Sequence, residues 1–448
     1  MSFQHPPRQT TRSDRPNIIW LLGDQHRHHA MGYAGDPNLH TPVIDDLTHH
    51  GLVCADGAVS GAPLCCPYRG SLLTSRWPHH CVPAHEARMP DGLPTVATAF
   101  NAHGYHTAWI GKWHVDGCHE RDGRAVDWIV PPERRGDFQL WEGYENNNDQ
   151  WDCWLHGGSG AEAFHRRLPG WETDALTERF CRHLDERATE DDTPFFAALS
   201  VQPPHWPCHC PPEWRDLRRD EVQLRPNVPL GGAVEARARE ALPGYYGMIA
   251  NWDHNVGRII AKLREHDLFE NTHILFFADH GEMMGSHGLF GKCTAQEESI
   301  RVPFLFAGGS RYDRLISGAT QAFCNHVDIA PTSLGLAGLP VPDWMQGTDA
   351  SHVRLGGDPR MAQPDSTYIQ NIDHREGAPP YRAIVTTDGW KYAATRFGPW
   401  LMYNLNEDPY EQANLALVPR QRQQRAHLDA RLRQWIADTG DDFPLPEL

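Results

Sequence analysis

The stretch that decides the fold is NIIWLLGDQH, residues 17–26, in which a largely apolar run leads directly into Asp24, Gln25 and His26. Three later stretches have the same design, a strand-like apolar run followed at once by ionisable side chains: residues 105–114, 195–207 and 272–282. Such runs, alternating with amphipathic segments, predict an α/β fold. Because open α/β sheets bind ligands outside the carboxyl ends of their strands, we expect the four polar clusters to meet at one site.

The length of 448 residues is enough for one large α/β domain and a smaller companion. We place the boundary in the polar, irregular stretch 347–364, which predicts domains over residues 1–350 and 351–448. In the second domain we expect a small antiparallel sheet and a terminal helix, from the patterns at 381–386, 391–395 and about 420–437.

Composition excludes several classes of protein. A formal net charge of −17, from 41 basic and 58 acidic residues, disfavours binding to nucleic acid. No apolar run is long enough to span a bilayer, and the polar residues 1–10 lack the apolar core of a secretory signal, so we expect a cytoplasmic protein without membrane contact. The 11 cysteines are scattered and odd in number, which predicts no disulfide framework. The one-residue spacing of Cys208 and Cys210 is poor for zinc.

The most informative motif is LCCPYRGSLLTSR, residues 64–76, in which Cys65, Pro67 and Arg69 form a C-x-P-x-R pattern. The pattern cannot start at Cys66, because Tyr68 would then occupy the position that requires proline. Residues 68–76 predict a short helix. A helix beginning there would direct backbone N–H groups at an anion bound beside residue 65. A second helix is predicted to begin at Pro243, from apolar residues at helical spacing up to position 263.

Two of the strand ends offer metal ligands. Asp24 is followed by Gln25, and Asp279 is followed by His280. Carboxylate and amide oxygens suit a hard divalent cation, and an imidazole shifts the preference toward manganese. The alternative for each aspartate is a cap on the turn or helix that follows its strand.

Basic side chains form a second candidate set: Arg69, Lys112, His114, His205 and Lys292. Hydrolysis of a sulfate or phosphate ester requires stabilisation of the charge on the non-bridging oxygens and a proton for the leaving group; lysines suit the first task, and histidines can perform either. The alternative for Lys112 and Lys292 is an ordinary solvated surface lysine. The alternative for His205, which is flanked by prolines, is a rigid structural turn.

With these motifs in place, the chain resembles a type I, formylglycine-dependent sulfatase of the alkaline phosphatase superfamily. The resemblance implies a large mixed sheet sandwiched by helices and a smaller C-terminal α+β subdomain. It runs along most of the chain and is carried by residues 15–19, 65–76, 111–114, 204–207, 279–282, 288–292, 298–303, 326–332 and 405–409.

The resemblance also implies a role for each candidate residue. Cys65 is converted to formylglycine by a formylglycine-generating enzyme that recognises Pro67 and Arg69, and Arg69 then steadies the hydrated aldehyde. One hydroxyl of the hydrate, ionised beside the metal, attacks sulfur and expels the alcohol. His114 takes the proton of the second hydroxyl, which releases sulfate. The sulfate oxygens are held by Lys112, His205 and Lys292, and the leaving oxygen is protonated by His205 or Lys292.

Two positions depart from the usual family pattern. Many sulfatases have paired aspartates where this chain has Asp24-Gln25, and Asp-Asn where it has Asp279-His280. Both replacements resemble choline sulfatases and phosphonate monoester hydrolases. The implied metal is Ca²⁺, with Mn²⁺ as the alternative. A phosphonate monoester or phosphodiester hydrolase remains a rival function, although the pair at positions 112 and 114 favours a sulfatase. A non-catalytic anion- or metal-binding protein with an unmodified Cys65 remains the alternative from another class.

The substrate is predicted from one polar loop, residues 146–156, which carries two tryptophans among amide side chains. Aromatic faces and amides suit the recognition of a sugar, so we expect a sulfated carbohydrate, with a small alkyl or aryl sulfate next. The alternative is a surface loop whose tryptophans pack locally. The oligomeric state is left open.

Overall fold

The computed structural model describes residues 15–118, 123–190, 192–311, 315–322, 324–356, 364–373 and 378–447. Its strands are β1 (Asn17–Gly23), β2 (Leu52–Cys54), β3 (Ala58–Val59), β4 (His106–Lys112), β5 (Leu140–Tyr144), β6 (Trp154–Gly157), β7 (Phe164–Arg167), β8 (Phe195–Ser200), β9 (Thr272–Ala278), β10 (Arg301–Val302), β11 (Phe304–Gly308), β12 (Gly318–Thr320), β13 (Ser366–Asn371), β14 (Tyr381–Thr386), β15 (Trp390–Thr395) and β16 (Gly398–Asn404). Its helices are α1 (Pro42–His50), α2 (Cys65–Thr74), α3 (Pro78–Cys81), α4 (Val96–Ala102), α5 (Glu172–Glu190), α6 (Ala233–Glu265), α7 (Glu297–Ile300), α8 (Ile329–Leu336), α9 (His352–Leu355) and α10 (Arg422–Thr439).

A ten-stranded mixed sheet forms the centre of the molecule, in the order β12-β2-β11-β9-β1-β8-β4-β5-β6-β7. The five strands from β9 to β5 run parallel to one another. Antiparallel strands adjoin them, β11 on one side and β6 on the other. The expected α/β class with a large mixed sheet is therefore confirmed.

Both faces of this sheet are covered by helices, as the sequence of β1 requires. Every residue of β1 is buried, and successive side chains point to opposite faces. Ile19 and Leu21 pack with residues of α5 and α6, whereas Ile18, Trp20 and Leu22 pack with residues of α2, α4 and α8. A strand that is apolar on both faces is typical of parallel sheets buried between helices.

Two helices begin earlier than the sequence pattern indicates. The helix expected from residue 68 begins at Cys65, because Pro67 falls in the first turn, where a missing N–H breaks no helical bond. The helix expected from Pro243 begins at Ala233 and contains the proline in its interior. The preceding segment AVEARAREAL consists mostly of strong helix formers, which explains the earlier start.

The C-terminal part contains the expected antiparallel sheet and terminal helix. Strands β13 to β16 pair in chain order, and α10 packs its buried Leu428 and Leu432 against this sheet. The other face of the sheet packs on residues of the larger part, including Val59 and Ile300. Residues 357–363, within the predicted boundary stretch, lie outside the described residues, so the boundary at residue 350 stays a prediction.

Residues 1–14, on which the expectation of a missing secretory signal rests, also lie outside the described residues. Among the helices that the structure describes, none is long and apolar enough to cross a membrane.

Candidate active site

The ends of the four central strands meet in one buried cluster, as the repeated sequence pattern predicts. Asp24 directly follows β1, Asp279 directly follows β9, and Lys112 is the last residue of β4. All three are fully buried. The Lys112 ammonium lies 2.6 Å from Asp24 Oδ2. His205 lies five residues beyond the end of β8 and reaches the same cluster through Lys292.

One arginine contacts all four strand ends. Arg69 projects from α2 and is fully buried. Its Nη2 atom lies 3.2 Å from Asp24 Oδ2 and 3.3 Å from Asp279 Oδ2. Its Nη1 atom donates to the Lys112 carbonyl at 3.1 Å and to Ser200 Oγ, at the end of β8, at 2.9 Å. The guanidinium therefore holds the parallel strands in register at the site.

Cys65 lies at the centre of the cluster, at the start of α2. Its Sγ atom is 3.0 Å from His280 Nε2, 3.4 Å from Lys292 Nζ and 3.8 Å from Asp24 Oδ1. Burial and the Asp24 carboxylate raise the pKa of the Cys65 thiol, but neighbouring cations, first Lys292, outweigh them and leave the pKa below its usual value. The surroundings of residue 65 therefore favour a negatively charged atom at this position.

A divalent cation fits the group formed by Asp24, Cys65, Asp279 and His280, whose donor atoms all lie within 4.8 Å of one another. Asp279 Oδ1 accepts the backbone N–H groups of residues 25 and 280, both at 2.9 Å, whereas its buried Oδ2 makes no hydrogen bond within the described residues. Burial raises the pKa of Asp24, but cations, first Lys112, hold it well below its usual range. Both carboxylates are therefore suited to bind a cation.

The side chain of Gln25, the further ligand predicted from the sequence, is hydrogen-bonded to two other side chains in the structure. Its Oε1 atom accepts a hydrogen bond from Lys292 Nζ at 2.8 Å, and its Nε2 atom donates to Glu282. The amide thus links the loop after β1 to the loop that carries Lys292, at the edge of the cluster formed by the other predicted ligands.

The contacts of His205 define its tautomer. Its Nδ1 atom lies 2.7 Å from the Trp206 carbonyl, which can only accept, so Nδ1 carries the proton. Its Nε2 atom, 3.1 Å from Lys292 Nζ, then accepts a hydrogen bond from the ammonium. Burial, followed by the charge of Lys292, lowers the pKa of His205 well below its usual value. In this pair Lys292 is the group that bears the positive charge.

His114 stands apart from these direct contacts. It adopts a left-handed backbone conformation, with φ of 59°, and neither ring nitrogen has a hydrogen-bond partner in the part of the chain that the structure describes. Its ring lies edge-on to that of His85, with centroids 5.6 Å apart. Burial and the charge of Lys112 lower the pKa of His114 well below its usual value, so the imidazole is neutral and one ring nitrogen carries a free lone pair.

Sequence reasoning missed the role of Glu282, which belongs to the DHGE stretch after β9. Its Oε1 atom accepts the backbone N–H groups of Met284 at 3.0 Å and Gly291 at 2.7 Å. Its Oε2 atom accepts from Trp206 Nε1 at 3.0 Å and from Gln25. This buried carboxylate therefore joins the loops that carry Gln25, His205 and Lys292. Only its nearness to Asp279 in the sequence could have indicated this function.

Comparison with known proteins assigns the chain to a family. Residues 16–339 match the sequence model of the Sulfatase family, and residues 285–438 match that of the N-sulphoglucosamine sulphohydrolase C-terminal region. The chain belongs to the sulfatase family. An ulvan-active sulfatase of Formosa agariphila is 36% identical over 442 residues, which cover 97% of this chain and 84% of the relative. The present sulfatase is thus a sulfuric ester hydrolase, and the expected resemblance is confirmed.

Solved structures agree on the fold of this sulfatase. The sulfatase-like protein YidJ of Bacteroides fragilis superimposes with a TM-score of 0.86 at 24% identity, over 98% of this chain and 99% of that one. The phosphonate monoester hydrolase of Agrobacterium radiobacter superimposes with a TM-score of 0.75 at 22% identity, over 95% and 96% of the two chains. At these identities the likeness shows the alkaline-phosphatase-like fold alone. The fold by itself does not distinguish a sulfatase from a phosphonate monoester hydrolase.

Replacing Glu282 with glutamine tests its part in holding the site together. We expect Glu282→Gln to destabilise the fold by about 1–3 kcal/mol and to lower kcat/KM about tenfold, because a glutamine NH₂ group would face N–H donors that now bind a carboxylate oxygen. Denaturant unfolding and aryl sulfate kinetics measure the two effects. The control is Glu240→Gln, an exposed acid paired with Arg219. Equal behaviour of the two variants would contradict the role assigned to Glu282.

Proposed function

We propose that this sulfatase hydrolyses the sulfate monoester of a carbohydrate by means of a formylglycine made from Cys65. The observation that carries the proposal is the position of Cys65 Sγ, within 3.8 Å of Asp24, His280 and Lys292. In the unmodified chain this sulfur stands where an oxygen of the hydrated aldehyde would lie. The hydrate supplies a nucleophilic oxygen that no unmodified side chain offers.

Maturation by a formylglycine-generating enzyme must precede folding. Cys65, Pro67 and Arg69, which form the recognition pattern, are all buried in the folded chain. An enzyme that reads these residues can reach them only while the segment is extended. The same arginine would thus serve twice, as a recognition element in the unfolded chain and as the centre of the ion-pair network after folding.

We propose Ca²⁺ as the metal, with Mn²⁺ as the alternative, held by Asp24, Asp279, His280 and the oxygen of converted residue 65. The cation supplies positive charge beside the nucleophilic oxygen. The Gln25 amide becomes a further ligand if it turns away from Lys292. The preponderance of oxygen donors supports Ca²⁺, and the single imidazole supports Mn²⁺.

The remaining residues bind the sulfate group and move protons. Lys112 and Lys292 would hold non-bridging oxygens as they stand, and His205 would hold the third once its Nε2 atom, which now accepts from Lys292, has taken up a proton. The leaving alcohol oxygen needs one proton, and Lys292, the proton-bearing member of its pair with His205, is the better donor, with His205 as the alternative once its Nε2 atom is protonated. His114, neutral and without a hydrogen-bond partner among the described residues, would take the proton whose removal releases sulfate.

Two observations support a carbohydrate as the substrate, with a small alkyl or aryl sulfate as the alternative. The relative from Formosa agariphila is named for activity on ulvan. The loop that contains residues 146–156 contacts the site, because Gln150 Nε2 donates to the His205 carbonyl at 3.1 Å. In the same loop Trp151 is 43% exposed, although its ring also packs edge-on against Trp171.

A comparison of two ester classes tests the chemistry. We expect kcat/KM for an aryl sulfate to exceed that for an aryl phosphonate monoester by at least about tenfold, because a phosphonate carries carbon in place of one non-bridging oxygen and leaves one of three donors unused.

We expect Cys65→Ala to lower kcat by more than about 10³-fold. Cys66→Ala, at the neighbouring buried cysteine, is the matched control and should stay active. A phosphonate preference would support the rival hydrolase.

Removal of the metal tests the cation site. We expect exhaustive dialysis against a chelator to remove close to one equivalent of divalent cation and most of the activity, because Asp24 and Asp279 would lose a shared counter-charge. Adding Ca²⁺ should restore more activity than adding Mn²⁺. Elemental analysis and aryl sulfate kinetics are the measurements. A fully active preparation without divalent metal would contradict the site.

A further inference from the structure

Two short segments next to the cluster around Cys65 extend toward the solvent. Asp24 and Cys65 are buried, whereas His205 and Trp206 in one segment and Phe290 in the other are half-buried. One segment carries His205 and the other leads to Lys292, so a sulfate ester bound at residue 65 would lie close to both. Side chains beside them are positioned to contact the rest of the substrate.

Arg237, in the second turn of α6, lies against both segments. Its Cζ atom is 3.9 Å from the centroid of the Phe290 ring and 5.4 Å from that of the Trp206 ring. The residue itself is exposed. The two aromatic contacts hold the guanidinium beside both segments through cation–π attraction.

The positive charge of Arg237 has no acidic partner within the described ranges of the chain. The two nearest glutamates along α6 are engaged elsewhere, since Glu235 pairs with Arg239 and Glu240 pairs with Arg219. Two ring contacts occupy only part of a guanidinium, so N–H groups of Arg237 remain available to an anion. On a chain with a net charge of −17, an arginine held against Trp206 and Phe290, with no acidic partner among the described residues, is a local positive feature.

The position of Arg237 is tied to the residues that would bind the sulfate. Trp206 directly follows His205, and its Nε1 atom donates to Glu282 Oε2 at 3.0 Å. Phe290 stands two residues before Lys292 in the loop whose Gly291 N–H Glu282 also accepts. The distance between Arg237 and the sulfate-binding groups is thus set by packed rings and a buried carboxylate.

We propose that Arg237 forms a second anion-binding subsite, which takes a carboxylate or a further sulfate on the sugar that bears the cleaved ester or on its neighbour. The planar guanidinium edge matches either group with two parallel hydrogen bonds. The proposal rests on the proposed function and narrows it, because the preferred substrate is then an acidic saccharide with at least two anionic groups.

The test compares four substrates on the wild-type enzyme and on Arg237→Met, which retains an apolar chain against both rings. The substrates are a monosulfated disaccharide containing a uronate, the same compound with its carboxyl reduced to an alcohol, a neutral disaccharide with two sulfates, and an aryl sulfate. We expect the substitution to lower kcat/KM about tenfold, mainly through KM, for at least one of the two doubly anionic substrates, and to leave kcat/KM unchanged for both singly anionic ones. The uronate and disulfate arms distinguish carboxylate from sulfate. Arg182→Met, an exposed arginine on α5, is the matched control.

Calorimetric binding of the same saccharides to Cys65→Ala, with and without Arg237→Met, separates the subsite from turnover. A loss of affinity of about tenfold that shrinks at high salt supports the subsite, even if the wild-type enzyme fails to hydrolyse the esters and the proposed function falls. Hydrolysis with equal kcat/KM for doubly and singly anionic saccharides overturns the subsite and leaves the proposed function intact. An equal effect of Arg237→Met on all four substrates also overturns it.

Discussion

The rest of the structure depends on the ion-pair network around Arg69. A fully buried guanidinium lies between two fully buried carboxylates, Asp24 and Asp279, which come from strands separated by more than 250 residues in the chain. Buried charges are tolerated only when they are paired and hydrogen-bonded, and removing one partner of such a set typically costs about 3–5 kcal/mol. The same ion pairs therefore fix both the register of the central strands and the geometry of the site.

This network also explains why Cys65 lies where it does. Residues four apart on a helix share a face, so Arg69 and Cys65 project from α2 toward the same side. Once Arg69 is fixed by the strand ends, Cys65 is held among Asp24, His280 and Lys292. The motif that we propose marks the cysteine for conversion is thus also the element that places it. Outside this network, Glu282 joins the loops that carry the proposed sulfate-binding groups and binds Trp206, against which Arg237 packs.

Sequence alone predicted the parts of the site that depend on local pattern. Asp24, Lys112 and Asp279 each follow an apolar run, and parallel strands bring such ends together whatever the connecting segments are. Gln25 and Lys292 could not be paired in this way, because Lys292 lies well beyond the end of β9, in a loop whose path no strand pattern fixes. The start of α6 was missed because Pro243 resembled a first-turn proline. Arg237 was missed because nothing in the sequence distinguishes an arginine that packs against two aromatic rings from one that is fully solvated.

The central claim, that converted residue 65 is the nucleophile, is tested most directly by preparing the protein with graded amounts of a formylglycine-generating enzyme. Mass spectrometry of the peptide that contains residue 65 gives the fraction in which CH₂SH has become CHO, and sulfate ester hydrolysis is measured on the same samples. The account predicts activity proportional to that fraction, with none at zero conversion. Activity that does not change with the converted fraction would contradict it.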